Sequence, residues 1–516
     1  MTKKRVVFLA PNAVFDARAG LGRQPGITGF EQIISTATEA HVVQLALQYV
    51  FRSFLNAMLT RRLFLAASLT LAAQTRRPNL VVILADDMGY GDIGCYGSPD
   101  VPTPHIDSLA RNGTRFTDAY VSCAVCSPSR AAMLTGRYQH RFGHEFNSGP
   151  IEREAEINFG LPAPEKIIPQ YLKPVGYRSM AVGKWHLGVR PGYHPQERGF
   201  DEFFGFLTGG NAFITQKTPN ARAIAADGDG GRIPTKRADP IRRGNQPVEE
   251  ERYLTDAFGD EAVKFIERNK SNPFFLYLAP NAIHTPLHAI DHYLDRFANI
   301  KNEKHRLLAA MTSALDDNVG AVLAKLKETG QEKNTLVVFL SDNGCPVMTG
   351  AGTNGPLNGE KVTYFEGGIR VPFLMQWPGR IPAGKEYKKP VVSRDILPTF
   401  LAAANIPATG KFDGVNLLPF LNNNATPHEA LFWRGGNGRA VRKGKWKLVE
   451  FGDQFSQLFD LETDIGETRD LTAKHPDVVK DLRTAWKTWS GQMAKPAWPP
   501  RFRQVTVNGV NLNWEL

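Results

Sequence analysis

Four short apolar runs, each followed directly by polar residues, limit the folds open to this chain more than any other feature. The runs are 80–85 (LVVILA), 180–182 (MAV), 274–279 (FFLYLA) and 336–340 (LVVFL). Apolar runs without alternation are typical of strands that are covered on both faces. Helical patterns at 254–266 and 308–326 separate them, so the sequence predicts an α/β fold with a large, mostly parallel central sheet flanked by helices.

The domain organisation follows from changes in composition and hydrophobic periodicity along the 516 residues. We assign residues 75–425 to the large α/β domain. Short alternating segments around glycine turns at 430–451, and a helical pattern at 475–489, predict a small antiparallel sheet with one helix in a C-terminal subdomain, 426–516. Residues 209–250 are polar, rich in Gly and Pro and without period, which predicts a long surface insertion bordering a site, with disorder as the alternative.

Residues 58–74 have the pattern of an export signal. Arg61 and Arg62 precede an apolar run, 63–73, that ends in small residues, as in signals of the twin-arginine type. The run is too short to span a bilayer, which takes about 20 apolar residues. We therefore expect export to the periplasm or the extracellular space of a bacterium, without stable membrane insertion after cleavage; an uncleaved membrane anchor is the alternative.

Signals normally begin at the N-terminus, so we interpret Met58 as the true start and residues 1–57 as an upstream artefact of the assigned start codon. A short genuine extension is the alternative. Residues 1–73 carry eight Lys/Arg and three Asp/Glu, so nearly half of the net charge of +11 comes from this segment. The remaining mild positive charge is compatible with an anionic substrate. No basic run interleaved with aromatic residues indicates a nucleic-acid partner.

Polar side chains follow each predicted strand. They are Asp86 and Asp87 after the first run, Lys184 and His186 after the second, His284 after the third, and Asp342 and Asn343 after the fourth. In open α/β sheets, ligands bind beyond the carboxyl ends of the strands. If the strands are parallel neighbours, these side chains converge on one crevice.

The oxygen-bearing members of this set predict a metal site. Asp86, Asp87, Asp342 and Asn343 offer only oxygen ligands, which suit a hard cation such as Ca²⁺ or Mg²⁺. Without a metal, the three carboxylates would repel one another and their pKa values would be raised. For Asp86 and Asp87 alone, a strand-end turn or a helix cap would be the simpler interpretation.

The stretch CSPSRAAMLTG (126–136) places a cysteine at a predicted helix start. Pro128 suits the first helical turn and Gly136 the end, so Cys126 lies where free N–H groups attract anions, with Arg130 one turn further on. Cys126 would then be a nucleophile or the precursor of one. The alternatives are a buried apolar cysteine and a redox pair with Cys123.

These motifs resemble a known family. C-S-P-S-R followed by L-T-G-R (126–130 and 134–137) is similar to the Cys/Ser-x-Pro-x-Arg signature of type I, formylglycine-dependent sulfatases of the alkaline phosphatase superfamily, which include bacterial arylsulfatases and carbohydrate sulfatases. Further matches occur in family order: NLVVILADDMGYGDIGCYG (79–97), GKWHLG (183–188), APNAIHTPL (279–287), LSDNG (340–344), EGGIRVP (366–372), AVRKGKWKLV (440–449) and LFDLETDIGE (458–467). The resemblance runs from about residue 78 to about residue 475.

The resemblance implies the fate of Cys126. A maturation enzyme would oxidise it to formylglycine, an aldehyde whose hydrate attacks sulfur and forms a covalent sulfate ester. Loss of the second hydroxyl proton would then expel sulfate and regenerate the aldehyde. A thiolate attacking sulfur would have no comparable exit.

The resemblance also implies roles for the other site residues. One Ca²⁺, or less readily Mg²⁺, would be held by Asp86, Asp87, Asp342, Asn343 and the formylglycine at position 126. Asp342 is further placed to take the nucleophile's proton, Arg130 and Lys184 would stabilise the formylglycine and the sulfate charge, and His186 would take the proton of the second hydroxyl. His284 and Lys361 would bind sulfate, and one of them would protonate the leaving alcohol.

The role assigned to Lys361 comes from a motif that departs from the family pattern. Where relatives commonly read Arg-Gly-Gly-Lys-Gly, residues 358–362 read NGEKV, with Glu360 beside the lysine. We expect neighbouring cations to lower the pKa of Lys361, which would let it act as an acid.

The sequence thus predicts an exported hydrolase of sulfate esters, with a sulfated carbohydrate or an aryl sulfate as substrate. A phosphonate or phosphate ester hydrolase of the same superfamily is the first alternative. A catalytically dead protein that binds sulfated glycans is an alternative of another class, against which the intact Cys126 and Arg130 argue. The sequence leaves the oligomeric state open.

Overall fold

The structure is a computed structural model of the chain. It describes residues 77–149, 153, 157–224, 233–423 and 425–516, together with isolated positions at 9–10, 13–14, 48, 51–52, 55 and 58. The chain divides into two compact units, Met1–Arg76 and Arg77–Leu516. Apart from those isolated positions, the predicted signal (58–74) and the segment before it (1–57) lie outside the described residues.

The described elements alternate strands with helices, as the sequence predicts. The strands are β1 (Leu9–Ala10), β2 (Ala13–Val14), β3 (Asn79–Ala85), β4 (Thr114–Phe116), β5 (Ala119–Tyr120), β6 (Arg178–Lys184), β7 (Glu202–Phe206), β8 (Ala221–Ile224), β9 (Arg242–Arg243), β10 (Gln246–Pro247), β11 (Phe274–Ala279), β12 (Leu287–Ile290), β13 (Thr335–Ser341), β14 (Phe373–Gln376), β15 (Lys385–Tyr387), β16 (Val391–Val392), β17 (Ala430–Gly435), β18 (Gly438–Lys443), β19 (Trp446–Phe451), β20 (Phe455–Asp460), β21 (Phe502–Val507) and β22 (Val510–Glu515). The α-helices are α1 (Pro104–Arg111), α2 (Cys126–Thr135), α3 (Ile168–Leu172), α4 (Leu254–Arg268), α5 (Asp291–Leu294), α6 (Glu303–Glu328), α7 (Glu366–Ile369), α8 (Ile396–Ala403), α9 (Phe420–Asn423) and α10 (Pro476–Ser490). Short 3₁₀ helices lie at Gly94–Tyr96, Gln139–Phe142, Lys173–Val175, Asp295–Phe297, Glu332–Asn334, Val347–Thr349 and Ser393–Asp395.

A 10-stranded mixed sheet forms the centre of the second unit, in the order β10-β9-β7-β6-β11-β3-β13-β14-β4-β15. Its middle strands, from β7 to β13, run parallel. The four predicted strands are β6, β11, β3 and β13, and they are consecutive neighbours in this order. The predicted fold class is therefore confirmed, and the carboxyl ends of these four strands meet at one edge of the sheet.

Both faces of the sheet are covered, which explains the continuous apolar runs. In β3, Val81 and Ile83 pack against α1, α4 and α6 on one face. Leu80 and Val82 pack against α2, α3 and α8 on the other. Because residues 80–85 are at most 1% exposed, each large apolar side chain contributes about 1.5–3 kcal/mol of burial free energy.

Helix α6 is long and apolar enough to cross a membrane by length and composition alone, and 72% of its apolar window is buried inside the fold. Its contacts with α4 and with α1 belong to the core on one face of the sheet. Packing in the core therefore accounts for its apolar character.

Part of the predicted surface insertion, 209–250, is integrated into the fold. Phe213 and Ile241 are buried in the core, β8 pairs with β12, and β9 extends the central sheet beside β7. The prediction of a surface insertion is therefore wrong for the buried part of its described residues. Its apolar residues are too widely spaced to show a period in the sequence.

The C-terminal part forms the predicted antiparallel sheet, β17-β18-β19-β20, with α10 packed on it. It shares a core with the large domain, in which Trp433 lies beside Tyr120 and donates a hydrogen bond from Nε1 to the Val121 carbonyl at 2.8 Å. Both parts belong to the single compact unit Arg77–Leu516. The boundary near residue 425 stays a prediction.

A closing hairpin, β21-β22, was not predicted. Its turn residues Asn508 and Gly509 both have positive φ, at 50° and 77°. Asn-Gly between alternating segments is a strong signal for a two-residue hairpin turn, so the sequence did carry the information.

Candidate active site

Three carboxylates meet where β3 and β13 end. The pairing of Ser341 with Ala85 sets the two strand ends side by side. Asp342 donates its backbone N–H to the Ala85 carbonyl at 3.1 Å, and its Oδ1 accepts from the backbone N–H of Asp87 at 3.2 Å. Asp87 adopts the left-handed region, with φ of 63°, and this turn leaves Asp86, Asp87 and Asp342 buried and close together.

Helix α2 brings the cysteine to this cluster. The helix begins at Cys126 and is capped by Gly136 with φ of 67°, as the sequence predicts. Cys126 is 2% exposed, and its Sγ lies 3.6 Å from Oδ1 of Asp86. Burial raises the pKa of the Cys126 thiol to about 12. Sequence positions that are far apart along the chain therefore share one site.

Cys123 has a different neighbourhood from Cys126. All four cysteines are free, and the Cys123 Sγ lies 3.8 Å from the hydroxyl of Tyr364. The two thiols thus contact separate partners, which gives no support to a redox pair.

Arg130 holds the carboxylates together from the next turn of α2. Its Nε and Nη2 both reach Oδ2 of Asp342, at 2.8 and 2.7 Å. Its Nη1 donates to the Lys184 carbonyl at 3.1 Å, and Nη2 lies 3.6 Å from Oδ1 of Asp86. The guanidinium is fully buried, so its planar fork fixes α2, β6 and β13 relative to one another.

Two lysines neutralise the other carboxylates. Lys184 Nζ lies 2.7 Å from Oδ2 of Asp86, and Lys361 Nζ lies 2.7 and 2.8 Å from the two carboxylate oxygens of Asp87. Burial opposes ionisation of Asp86 and Asp87, but the lysine charges outweigh it and lower both pKa values. Only Asp342 follows the expectation of raised pKa values: burial and the charge of Asp86 raise its pKa to about 6.

The expectation for Lys361 is wrong. Burial favours its neutral amine, but the carboxylate of Asp87 outweighs burial and raises its pKa. The sequence pattern showed the neighbouring cations of the site but not which carboxylate would face this lysine. Lys361 is therefore a fixed positive charge in this structure.

Two histidines flank the cluster in different ways. His186 donates from Nε2 to the Ser148 carbonyl at 3.2 Å, and among the described residues its buried Nδ1 has no hydrogen-bond partner. Burial keeps its pKa well below the usual value, so Nδ1 carries a free lone pair. His284 donates from Nδ1 to the Thr285 carbonyl at 2.5 Å, and its Nε2 lies 3.5 Å from Oδ2 of Asp87.

The donor set fits a hard cation. Asn343 donates from Nδ2 to Oδ1 of Asp87 at 2.7 Å and to the Gly344 carbonyl at 2.9 Å. Its Oδ1 is buried and lacks a hydrogen-bond partner in the described part of the chain. A buried, unsatisfied acceptor is costly unless a cation or a water binds it. Ligand atoms of Asp86, Asp87, Cys126 and His284 all lie within 4.8 Å of one another.

A cavity of about 320 Å³ opens onto the site. Its lining residues are Cys126, Asn147, Ser148, Gly149, His186, Val189, Leu207, Thr208, Gly209, Gly210, His284, Lys361, Val362, Arg501, Arg503 and Leu516. The size lies at the lower end of the range of about 300–1,000 Å³ that is typical of small-molecule sites. Gly209 and Gly210 confirm that the insertion borders the site.

A supporting layer under the cysteine was missed in the sequence. Ser127 donates its hydroxyl to the His186 carbonyl at 2.7 Å, while its Oγ lies 2.6 Å from Nε2 of His144. Its backbone N–H donates to Oδ1 of Asn147 at 3.0 Å. Ser127 lies inside the CSPSR motif and could have been singled out, but nothing near His144 and Asn147 in the sequence marks them.

Fold and site together define a class of protein: an α/β enzyme with a cysteine at a helix N-terminus, a cluster of carboxylates and buried cations, an arrangement that suits hydrolysis of a tetrahedral oxyanion ester. The family model described as Sulfatase matches residues 78–406, and the model described as N-sulphoglucosamine sulphohydrolase, C-terminal, matches residues 359–490. The chain belongs to the sulfatase family and is a sulfuric ester hydrolase.

Individual relatives agree. The chain is 36% identical over 394 residues to N-acetylgalactosamine-6-sulfatase of Sus scrofa, covering 74% of this chain and 73% of the relative. It is 35% identical over 443 residues to arylsulfatase A of Homo sapiens, covering 81% and 83%. Among solved structures, Ps i-CgsB in complex with k-i-k-neocarrahexaose is similar, with a TM-score of 0.74 and 39% identity over 82% of this chain and 95% of that one.

Proposed function

We propose that this protein hydrolyses sulfate esters of a sulfated carbohydrate, using a formylglycine made from Cys126 and one Ca²⁺. One observation carries the proposal: Cys126 lies at the N-terminus of α2 with its Sγ 3.6 Å from Asp86, inside a cluster that also contains Lys184 and Arg130. The names of the relatives, which include carbohydrate sulfatases, support the substrate class.

Asp86, Asp87, Asp342 and Asn343 would hold the Ca²⁺, with the buried Oδ1 of Asn343 as the clearest open acceptor. When bound, the cation would polarise a sulfate oxygen and the side chain at position 126. The formylglycine hydrate supplies the hydroxyl that attacks sulfur. Mg²⁺ is the less favoured ion, because it demands near-ideal octahedral geometry.

The chain's own charged residues bind and orient the sulfate. Lys184 and Lys361 hold positive charge on either side of the carboxylates, and Arg130 fixes Asp342 at the end of β13. With Asp86 and Asp87 engaged in holding the cation, the two ammonium groups would be free to face the oxyanion.

The two histidines handle protons at defined atoms. His186 accepts a proton at Nδ1, because Nε2 is committed to the Ser148 carbonyl. His284 would deliver a proton to the leaving alcohol from Nε2 in its imidazolium form, because Nδ1–H is committed to the Thr285 carbonyl. Burial lowers the pKa of His284, and the charge of Asp87 opposes this effect. Lys361, which donates to both carboxylate oxygens of Asp87, would bind the sulfate as a cation.

Mass spectrometry and sulfate release test the proposal together. In protein from the native host, the peptide spanning Cys126 should be about 18 Da lighter than its sequence mass, as conversion of a thiol to an aldehyde requires. With Ca²⁺ present, this protein should release sulfate from an aryl sulfate and from sulfated glycans, with a higher kcat/KM than for matched phosphate esters.

The control is Cys126→Ala, which should fold normally and lose activity. An unmodified cysteine in active protein would contradict the formylglycine step. Absence of sulfate release from matured protein on all these substrates would contradict the enzyme function itself and favour a glycan-binding role.

We also propose that residues 58–74 direct export to the periplasm or beyond through the twin-arginine route. The support is the sequence pattern alone: Arg61 and Arg62 before a short apolar run. This route carries folded cargo, so maturation of Cys126 by its oxidising enzyme would precede transport. N-terminal sequencing of the protein from its native host should begin near residue 75, and a peptide from residues 1–57 would contradict both the start at Met58 and the cleavage.

A further inference from the structure

The closing hairpin has one inward and one outward face. In β21 and β22 the paired residues Val505 and Leu512 point to one side, since directly opposite residues of an antiparallel pair share a face. Val505, Leu512 and Trp514 are buried in the core shared with the large domain. Gln504 lies on the opposite face and is exposed.

Two arginines continue the inward face toward the cavity. Arg503 pairs with Trp514, and Arg501 is two residues further along, so both point to the same side as Val505. Both line the cavity that contains Cys126. An arginine whose only role is solubility would be expected on the exposed face of the hairpin. The position of these two arginines in the cavity lining therefore indicates another role.

Among the described residues, neither guanidinium group forms an ion pair. Within the part of the chain that the structure describes, no Asp or Glu oxygen forms an ion pair with Arg501 or Arg503, and Arg503 instead contacts the sulfur of Met348. None of the described residues lining the cavity is an aspartate or glutamate. Lys361 also lines the cavity but is paired with Asp87, so the two arginines supply positive charge that no described side-chain carboxylate pairs with.

From this placement we propose that Arg501 and Arg503 bind a second oxyanion substituent of the substrate, a sulfate ester or a carboxylate next to the sulfate ester that is cleaved. The inference rests on the proposed sulfatase function and narrows its substrate to a glycan with at least two anionic groups close together. Guanidinium groups suit this task because their planar donors match the oxygens of sulfate and carboxylate. The hairpin lies beyond the residues that either family model matches, so this part of the site is supplied by the chain's own C-terminal segment.

The test uses three synthetic disaccharides with the same cleavable sulfate ester. The first has no other charge, the second has another sulfate ester on the neighbouring sugar, and the third has a carboxylate there. For the full-length matured protein, kcat/KM should be higher for the second or third than for the first. Arg501→Gln with Arg503→Gln should reduce this preference roughly 10- to 100-fold, the range expected for one or two charge-assisted hydrogen bonds.

Two control variants separate this effect from net charge and from folding. Lys480→Gln with Lys487→Gln removes two positive charges from exposed positions of α10, which do not line the cavity, and should leave the preference unchanged. Arg501→Lys with Arg503→Lys keeps the charge and should retain part of it. Matching melting temperatures would show that the variants fold alike.

The outcomes distinguish the ligands and the hypotheses. If replacing the two arginines lowers the preference for the second disaccharide alone, the site binds a sulfate ester. If it lowers the preference for the third alone, the site binds a carboxylate, and if it lowers both, the site binds oxyanions in general. An unchanged preference in the Arg501→Gln/Arg503→Gln variant overturns the proposal while leaving the sulfatase function intact.

Binding supplies a readout that needs no turnover. In a Cys126→Ala background, calorimetry with the disulfated disaccharide and with the carboxylate disaccharide should give a Kd at least tenfold weaker for one of them when both arginines are replaced by glutamine. If neither Kd changes, the proposal is wrong even where sulfate release is observed. If Kd changes but the matured wild type releases no sulfate, the anion site stands and the enzyme function fails.

Discussion

At the scale of single residues, Arg130 contributes geometry as well as charge. Its Nε and Nη2 reach Asp342 while its Nη1 reaches the Lys184 carbonyl, so one side chain connects three elements. A lysine has a single nitrogen and cannot make these contacts together.

Arg130→Lys should therefore reduce kcat by roughly 10²–10³-fold, the cost typical of losing a preorganised donor at the reacting centre, while the positive charge is kept. Steady-state kinetics on an aryl sulfate, with melting temperature as the folding control, provides the measurement. A kcat within a factor of about three of wild type would mean that charge alone suffices.

The side chain of Asn343 gives a second residue-scale prediction. Its Oδ1 is buried and has no hydrogen-bond partner among the described residues, and its Nδ2 contacts Asp87 of the carboxylate cluster, so Asn343→Ala should weaken Ca²⁺ binding without removing a charge. After chelation with EDTA, wild-type activity should vanish and its melting temperature should fall, because a ligand bound only by the folded state stabilises it.

Titrating Ca²⁺ back should restore both properties, at a higher half-saturating concentration in the Asn343→Ala variant. Activity that survives exhaustive chelation, or identical titration curves for the two proteins, would rule out this metal assignment.

At the scale of elements, the close pairing of β6 with β11 fixes the position of Lys184. Gly183 has φ of 106°, and a Cβ at this position would lie 2.1 Å from the Ala279 carbonyl oxygen. A side chain there must separate the two strands just before the polar residues of the site.

Gly183→Ala should destabilise the fold by more than about 3 kcal/mol, above the cost of backbone strain alone, and should lower kcat/KM at least tenfold. The matched control is Gly176→Ala, where φ is 88° and nothing lies within 4 Å, so only the strain of about 1–2 kcal/mol applies. Equal effects in urea unfolding of the two variants would contradict the steric argument.

A buried ion cluster joins the C-terminal sheet to the large domain. Lys447 of β19 lies 2.7 Å from Glu366 and 2.9 Å from Glu467, and all three side chains are fully buried. Lys447 outweighs burial and lowers the pKa of Glu366 to about 2, whereas burial raises the pKa of Glu467 to about 7.

Lys447→Met should destabilise the protein by about 3–5 kcal/mol, because buried carboxylates lose their counter-charge. The destabilisation should grow as the pH rises from 5 to 8. Below pH 7 Glu467 is protonated in the folded protein and needs no counter-charge, whereas above about 7 it is ionised and depends on the charge of Lys447. The exposed pair of Lys443 and Asp481 supplies the control: Lys443→Met should change stability by less than about 1 kcal/mol. A pH-independent effect in denaturant unfolding would contradict the assigned protonation of Glu467.

At the scale of the whole molecule, the two ends of the chain should respond differently to truncation. All the site residues lie within the compact unit Arg77–Leu516. A chain that starts at Arg77 and is matured in a suitable host should keep kcat/KM within about twofold, as expected when a compact unit contains its own core.

A chain that ends at residue 500 loses the hairpin and exposes the core that Val505 and Trp514 cover. Its melting temperature should fall by several degrees, and its preference for substrates with two anionic groups should disappear. Melting curves and kinetics on both truncated proteins measure these effects. If the chain that starts at Arg77 does not fold, the division into two compact units is contradicted.

The sequence by itself determined the central sheet and most of the candidate site. Strands covered on both faces need continuous apolar runs, and residues 80–85 and 336–340 show this so directly that no long-range information was required. Cys126 and Asp86 were predictable for the same reason: a helix start and a strand end are local features, and the sheet topology of α/β folds brings such ends together.

Only the tertiary structure decided which charges meet. The pairing of Lys361 with Asp87 raises the pKa of this lysine, opposite to the expectation, because a pKa depends on the nearest charges in space. His144 supports Ser127 without any local sequence signal, and the hairpin arginines reach the cavity only because Val505 and Trp514 are anchored in a distant core. Local patterns fix elements, but the contacts between elements depend on packing, which no single stretch of sequence contains.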